Sequence, residues 1–238
     1  MRISSQEIEN YDEIIPKFEN DRANSVSKLT GGDTITFSGK CLECCVGIVD
    51  MVNSTKISSV LYNSKLTKYY SIFLNSMSNI VKRFDGTIIK NVGDSILYYF
   101  PQTSDQKNKE ALIKCLECSF SMVEVHDIIN DKLFQEKLPS LDYRVSVDFG
   151  TMIMATTKNS LCEDIFGPTV NMCNKINHLA IPNTIVIGGD LYQLVRHLNH
   201  YKFDEVKGFS LGTSLVYPTY SIKRNGRGPI GSKFGCLL

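Results

Sequence analysis

Apolar and polar positions fall into clear periods from Cys44 onward. The run Cys45-Val46-Gly47-Ile48-Val49 is closed by Asp50 and predicts a buried strand reaching Met51. Asn53, Ser54 and Thr55 are capping residue types. Behind them helical spacing continues through Val60, Leu61, Tyr69, Phe73, Met77, Ile80, Val81 and Phe84, with polar Asn63-Ser64 splitting it into two helices. Thr87-Ile88-Ile89 and Ser95 to Phe100 flank Val92-Gly93-Asp94, which reads as a β-hairpin ended by Pro101, with Asp94 at its tip. One long helix is predicted from Gln106 to Lys132, with Leu112, Ile113, Leu116, Phe120, Val123 and Ile128 as its apolar stripe. Tyr143 to Val147 alternates as a strand; Gly150 allows a bend, and Met152-Ile153-Met154 is expected to return beside it as a second strand. After a loop from Thr156 to Glu163, Gly167-Pro168-Thr169 opens a helix whose amphipathic stretch is Val170 to Leu179. Strand Ile185 to Ile187, helix Asp190 to Arg196 and strands Phe203 to Val206 and Val216 to Ile222 complete the pattern.

That order predicts an α+β fold, a mostly antiparallel sheet with helices on one face and the other face and edge open to a partner subunit. Residues 1–40 read as an N-terminal segment with a regulatory or dimer-contacting role, 41–222 as the main domain, and 223–238 as a flexible basic tail.

Charge changes the picture by exclusion. In 238 residues, Lys and Arg number 26 against 25 Asp and Glu, so no global field favours nucleic acid and an anionic ligand must be held by local charges. No early stretch has signal-peptide order, and no run approaches the roughly 18 apolar residues of a membrane span, so a soluble, cytoplasmic protein is expected. The eight cysteines include several inside apolar runs (Cys45, Cys115, Cys118, Cys173), where reduced thiols pack as small hydrophobes. Cys-Leu-Glu-Cys occurs at both Cys41–Cys44 and Cys115–Cys118, a spacing open to a four-thiolate zinc site, although core packing of the second pair is the simpler account.

The candidate chemistry sits on Asp50 and Asp94. Carboxylates on a strand end and a hairpin tip can share hard cations such as Mg2+ or Mn2+, which take their remaining ligands from water and substrate phosphates. Around them lie three motifs: Val49-Asp50-Met51-Val52-Asn53-Ser54-Thr55, then Gly86-Thr87-Ile88-Ile89-Lys90-Asn91-Val92-Gly93-Asp94, then Asp164-Ile165-Phe166-Gly167-Pro168-Thr169-Val170-Asn171. Their type, order and predicted context resemble the class III nucleotidyl cyclases over about Cys45 to Ile222.

The resemblance implies a ferredoxin-like βααββαβ core with additional C-terminal strands and a helix. It also implies an adenylyl cyclase that converts ATP to 3',5'-cyclic AMP and pyrophosphate, working as a head-to-tail homodimer with shared sites. Asp50 and Asp94 would hold two Mg2+ or Mn2+ ions, and amides near Asn53, Ser54 and Thr55 would face the triphosphate. Lys90 and Asp164 match the adenine-reading pair; lysine donates to a ring nitrogen and aspartate accepts from an exocyclic amine, a logic that cytosine also satisfies. Asn171 matches the ribose-orienting asparagine and Lys207 the lysine on the terminal phosphates. Lys175 stands where active members carry a transition-state arginine; it keeps the charge but loses the planar fork, which implies slower turnover. A nucleotide-binding regulatory module with little turnover, and a cyclase acting on GTP or a pyrimidine nucleotide, are the alternatives. An RNA-binding domain of similar topology is disfavoured by the balanced charge. His197 and His200 lack acidic partners in sequence, Gly31-Gly32-Asp33 and Gly188-Gly189-Asp190 read as turns, and Cys236 beside basic residues suggests at most a palmitoylation site.

Overall fold

The computed structural model describes residues 35–157, 163–210 and 216–226. The element order is β1 (Ile35–Met51), α1 (Ser54–Val60), α2 (Asn63–Arg83), β2 (Thr87–Val92), β3 (Ser95–Phe100), α3 (Lys109–Glu124), α4 (His126–Gln135), β4 (Tyr143–Thr157), β5 (Glu163–Phe166), α5 (Pro168–Asn177), β6 (Ile185–Gly188), α6 (Gly189–Val195), β7 (Tyr201–Ser210) and β8 (Val216–Arg224). A short 3-10 turn, Pro101–Ser104, follows β3. The α+β order expected from the sequence is present, with the βααββαβ core and the added strands and helix at its C-terminal side.

One sheet carries everything, in the order β2-β3-β1-β4-β6-β8-β7, with β5 paired to β4. All pairings are antiparallel except β4 with β6. Side chains alternate across β1. Cys45, Val49 and Met51 join Phe73 and Met77 of α2, Leu112 and Leu116 of α3, Leu133 of α4 and Leu191 of α6 in the main core. Cys44, Val46 and Ile48 face the other way, into a smaller cluster with Leu97, Tyr99, Met152, Met154, Ile165 and Cys173 of α5. The second face, expected from the sequence to be bare of helices, is instead packed by α5 through Cys173.

Four further expectations need correction. The predicted return strand at Met152 is instead a continuation: β4 runs unbroken through Gly150, because β1 is long enough to pair with it on both sides of that residue, Cys45 with Phe149 and Leu42 with Met152. β5 occupies part of the predicted loop, and pairs Asp164 with Ala155. The single helix from Gln106 to Lys132 is two helices. No proline or glycine marks the break at Val125; past it, Asn130 of α4 is placed to accept from the Leu141 amide at 2.7 Å and donate back to its carbonyl at 3.1 Å, securing the approach to β4. β8 extends to Arg224, beyond Ile222, because Arg224 pairs with buried Glu117 of α3 at 2.6 Å and stacks over Phe120 at 4.4 Å. Residues 227–238, with Cys236, and residues 1–34, with Gly31-Gly32-Asp33, lie outside the described residues.

The two Cys-Leu-Glu-Cys pairs do not converge. Cys44 packs on the α5 side beside Met152, whereas Cys115 and Cys118 belong to the opposite core, and Cys41 is exposed. Burial pushes the Cys44 thiol up to about 12, and that of Cys118 higher still, so these sulfurs behave as inert packing groups.

Candidate active site

Asp50 is the penultimate residue of β1, aligned with Ser95 of β3 on one side and Arg144 of β4 on the other. Strand alternation puts it on the α5 face, half-buried. Asp94 reaches the same corner from the two-residue turn between β2 and β3. Gly93 before it takes φ +63, the left-handed conformation that short hairpin turns require, with open space where a side chain would stand. Glycine is thus needed there for its backbone.

The two carboxylates feel each other. Burial, first, and the charge of Asp94, second, hold the Asp50 carboxyl above its ordinary value, against the lowering effects of His178 and Arg144. Among the described residues no protein group donates a hydrogen bond to either carboxylate. The pair offers two hard oxygen donors, and no cluster of three or more His, Cys, Asp or Glu side chains is present among the described residues. That donor set fits Mg2+ or Mn2+ bound jointly with phosphate oxygens, and it lacks the soft or imidazole ligands of a closed structural zinc site.

The chain leaves β1 through Val52, whose amide donates to the Asp142 carbonyl at 2.8 Å, and turns at Asn53 in the left-handed region, φ 59. Asn53 makes no side-chain cap, and α1 starts at Ser54, so the first helical amides have no side-chain acceptor from that residue.

Lys90 and Asp164 meet: Lys90 Nζ lies 2.5 Å from Asp164 Oδ2, while Asp164 Oδ1 accepts from the Ile165 amide at 2.8 Å. Residues far apart in sequence are joined because β5 doubles back along β4 and brings Asp164 over β2. Asn171 and Lys175 lie one turn apart on the exposed face of α5. The buried face of α5 is fixed by Ser146, whose Oγ donates to the Cys173 carbonyl at 3.0 Å and accepts from Asn177 Nδ2 at 3.1 Å. Lys207 lies in β7 at the register shift between Val206 and Phe209; its side chain is outside the described ones.

Two residues escaped the sequence reading. Arg144 stands across from Asp50, and its Nε is buried with no hydrogen-bond partner among the described residues. His178 follows α5 and acts on Asp50 electrostatically. Only the β1/β4 register places Arg144 there; in sequence it is one outward position of an alternating strand. A groove of about 740 Å³ between α2 and α4, lined by Ile72, Ile80, Ile129 and Lys132, lies on the opposite face and borders none of the motif residues.

The family described as "Adenylate and Guanylate cyclase catalytic domain" matches residues 38–224. The chain belongs to this family. It is 30% identical to the cytidylate cyclase of Staphylococcus aureus over 189 residues, 76% of this chain and 44% of that protein. With the adenylate cyclase of Streptomyces coelicolor it shares 25% identity over 142 residues, 60% of this chain and 31% of that one. A uridylate cyclase of Rhodovulum is 29% identical over 140 residues, 55% of each chain. The chain therefore spans about half or less of the length of these relatives. Among solved structures, the adenylyl cyclase CyaB of P. aeruginosa superposes with TM-score 0.72 at 20% identity, covering 81% of this chain and 98% of that one. The guanylyl cyclase Cya2 gives 0.68 at 16% identity, covering 83% and 97%. These likenesses establish the fold. No helix among the described residues is long and apolar enough to cross a membrane.

Proposed function

We propose that this domain is an adenylyl cyclase, making 3',5'-cyclic AMP and pyrophosphate from ATP. The observation that carries the proposal is the Asp50/Asp94 pair, two carboxylates at one corner with no hydrogen-bond donor among the described residues, together with the base-reading pair Lys90 and Asp164. The ribose 3'-oxygen loses its proton to solvent and bonds to the α-phosphorus; the bond from that phosphorus to the β-bridging oxygen breaks, and pyrophosphate leaves with the electron pair. Two Mg2+ or Mn2+ ions, held by Asp50 and Asp94, would lower the hydroxyl pKa and neutralise the leaving charge.

The remaining roles belong to the chain itself. Arg144 and the amides at Asn53, Ser54 and Thr55 hold the triphosphate from the Asp50 side. Asn171 orients the ribose, Lys175 neutralises charge developing on the α-phosphate, and Lys207 contacts the terminal phosphates. Lys90 donates to the adenine ring nitrogen while Asp164 accepts from the exocyclic amine. Their mutual ion pair is solvent-accessible and worth about 0–1 kcal/mol, so a base can take its place at little cost. A head-to-tail homodimer joins Asp50 and Asp94 of one protomer to Lys90, Asp164, Asn171, Lys175 and Lys207 of the other, giving two shared sites.

CTP is the second reading. Cytosine presents the same amine beside an acceptor, and the relative at 30% identity is a cytidylate cyclase. The test is mass-spectrometric product analysis with ATP, GTP, CTP and UTP supplied separately with Mn2+. Cyclic AMP from ATP supports the first reading, cyclic CMP the second, and a folded chain giving no product from any of them rejects turnover and leaves a nucleotide-binding module.

A further inference from the structure

Phe166 is unusual in being both aromatic and outward-facing at the base-reading corner. Its neighbour Ile165 is 2% exposed and fills the α5-side cluster, so strand alternation turns Phe166 and Asp164 together to the opposite side, where Phe166 is 36% exposed. A single exposed phenylalanine is ordinary. What sets this one apart is the position of Lys90, whose Nζ lies 5.9 Å from the ring centroid and 2.5 Å from Asp164 Oδ2.

That distance has a geometric meaning. A six-membered ring stacked ~3.5 Å above Phe166, with an edge atom roughly 1.4 Å from its centre and a hydrogen bond of about 2.9 Å, requires a donor about 5.5 Å from the Phe166 centroid. Lys90 Nζ, at 5.9 Å, stands close to that distance, with the Asp164 acceptor beside it. Edge recognition and face contact are thereby compatible in one pose.

Resting on the nucleotidyl cyclase reading, we propose that Phe166 is the platform on which the substrate base stacks while Lys90 and Asp164 read its edge. Every base has a π face, so the platform adds affinity for purine and pyrimidine nucleotides alike and leaves the choice between them to the edge. The contact is made before and during reaction, so it acts on KM far more than on kcat.

The chain contains no tryptophan, so Phe166→Trp installs a sole reporter at the platform. In the full chain with Mn2+, ATP and CTP titrated separately are expected to quench its fluorescence saturably, while inorganic tripolyphosphate, which has no base, leaves it unchanged. Phe166→Ala is expected to raise KM on the order of tenfold or more with kcat within about twofold, and Phe166→Tyr to stay near the wild type. Absence of base-dependent quenching, or an unaltered KM in Phe166→Ala, overturns the proposal. So does conversion of Phe166→Ala to a different oligomeric state by light scattering, which assigns the ring to a protein contact. Quenching without cyclic product from the wild-type chain overturns the cyclase reading and leaves the platform standing; product without quenching does the reverse.

Discussion

Two pairs of aspartates flank the stretch of β4 from Arg144 to Asp148, one at each end of it, and they are built in opposite ways. At the first, Asp50 and Asp94 repel each other and accept no hydrogen bond from the described residues. At the second, four residues along β4 from Arg144, Asp148 is 1% exposed and fully engaged. Its Oδ1 accepts from the Phe149 amide at 2.9 Å and its Oδ2 from the Tyr217 hydroxyl at 2.8 Å; the same hydroxyl accepts from the Asp190 amide at 3.2 Å and lies 3.1 Å from Asp190 Oδ2. A side chain on Gly188 would stand 2.2 Å from Asp148, so glycine is what admits this carboxyl between the strands. Burial, the dominant cause, lifts Asp148 from its ordinary 3.8 to about 7, against the lowering hydrogen bond from Tyr217. Like residue types thus stand in two settings: satisfied acceptors make a joint between β4, α6 and β8, while the other two acceptors are left without donors among the described residues.

The contrast can be broken by substitution at either end. Asp50→Ala is expected to reduce cyclisation on the order of a thousandfold while the chain stays folded, since no hydrogen-bond donor among the described residues loses its acceptor. Product analysis beside circular dichroism checks this, and an unfolded variant would place Asp50 among the structural acids.

At the other end the effect should appear as pH dependence. Because the folded state keeps a proton on Asp148 that the unfolded state releases, stability is highest below about pH 4 as far as this group is concerned, and falls as pH rises through about 7, by on the order of a few kcal/mol. Asp148→Asn keeps an acceptor for Tyr217 and should flatten that slope in urea melts between pH 5 and 8, with cyclisation retained. An unchanged slope would mean that Asp148 is ionised throughout.

Lys175→Arg sharpens the reading of the open end. Restoring a planar, two-pronged donor is expected to raise kcat by about tenfold to a hundredfold with little change in KM. A fall in kcat would show lysine to be the fitted residue in this chain. Smallest of all, Mn2+ should raise the melting temperature of the wild type and of Asp148→Asn by a few degrees at most, and that of Asp50→Ala by less. Equal shifts in all three would locate the cation elsewhere.

The open end was the more legible of the two. Asp50, Gly93, Asp94 and Asp164 sit in short local patterns where turn chemistry and strand ends announce themselves; β3 and the C-terminal end of β1 lie where the sequence put them, whereas β5, which carries Asp164, was read as loop. Arg144 and the Asp148–Tyr217–Asp190 joint were not legible, because they depend on registers between strands distant in sequence and on how far β4 continues past Gly150. Alternation identifies which residues share a face; it is silent on which of them end up opposite one another. The break at Val125 escaped for a related reason, since its partner, the backbone at Leu141, lies beyond the helix that carries Asn130.

Lys90 and Asp94 share one hairpin, four residues apart, yet under the head-to-tail arrangement they belong to different catalytic sites. Each hairpin is then a common support for both, and genetic lesions on it should sort by site rather than by position. A chain carrying Asp94→Asn and another carrying Lys90→Ala would each be silent alone; mixed, their heterodimers would contain one doubly damaged site and one intact one. Two dead alleles would complement each other, a behaviour that a site confined within one chain does not allow.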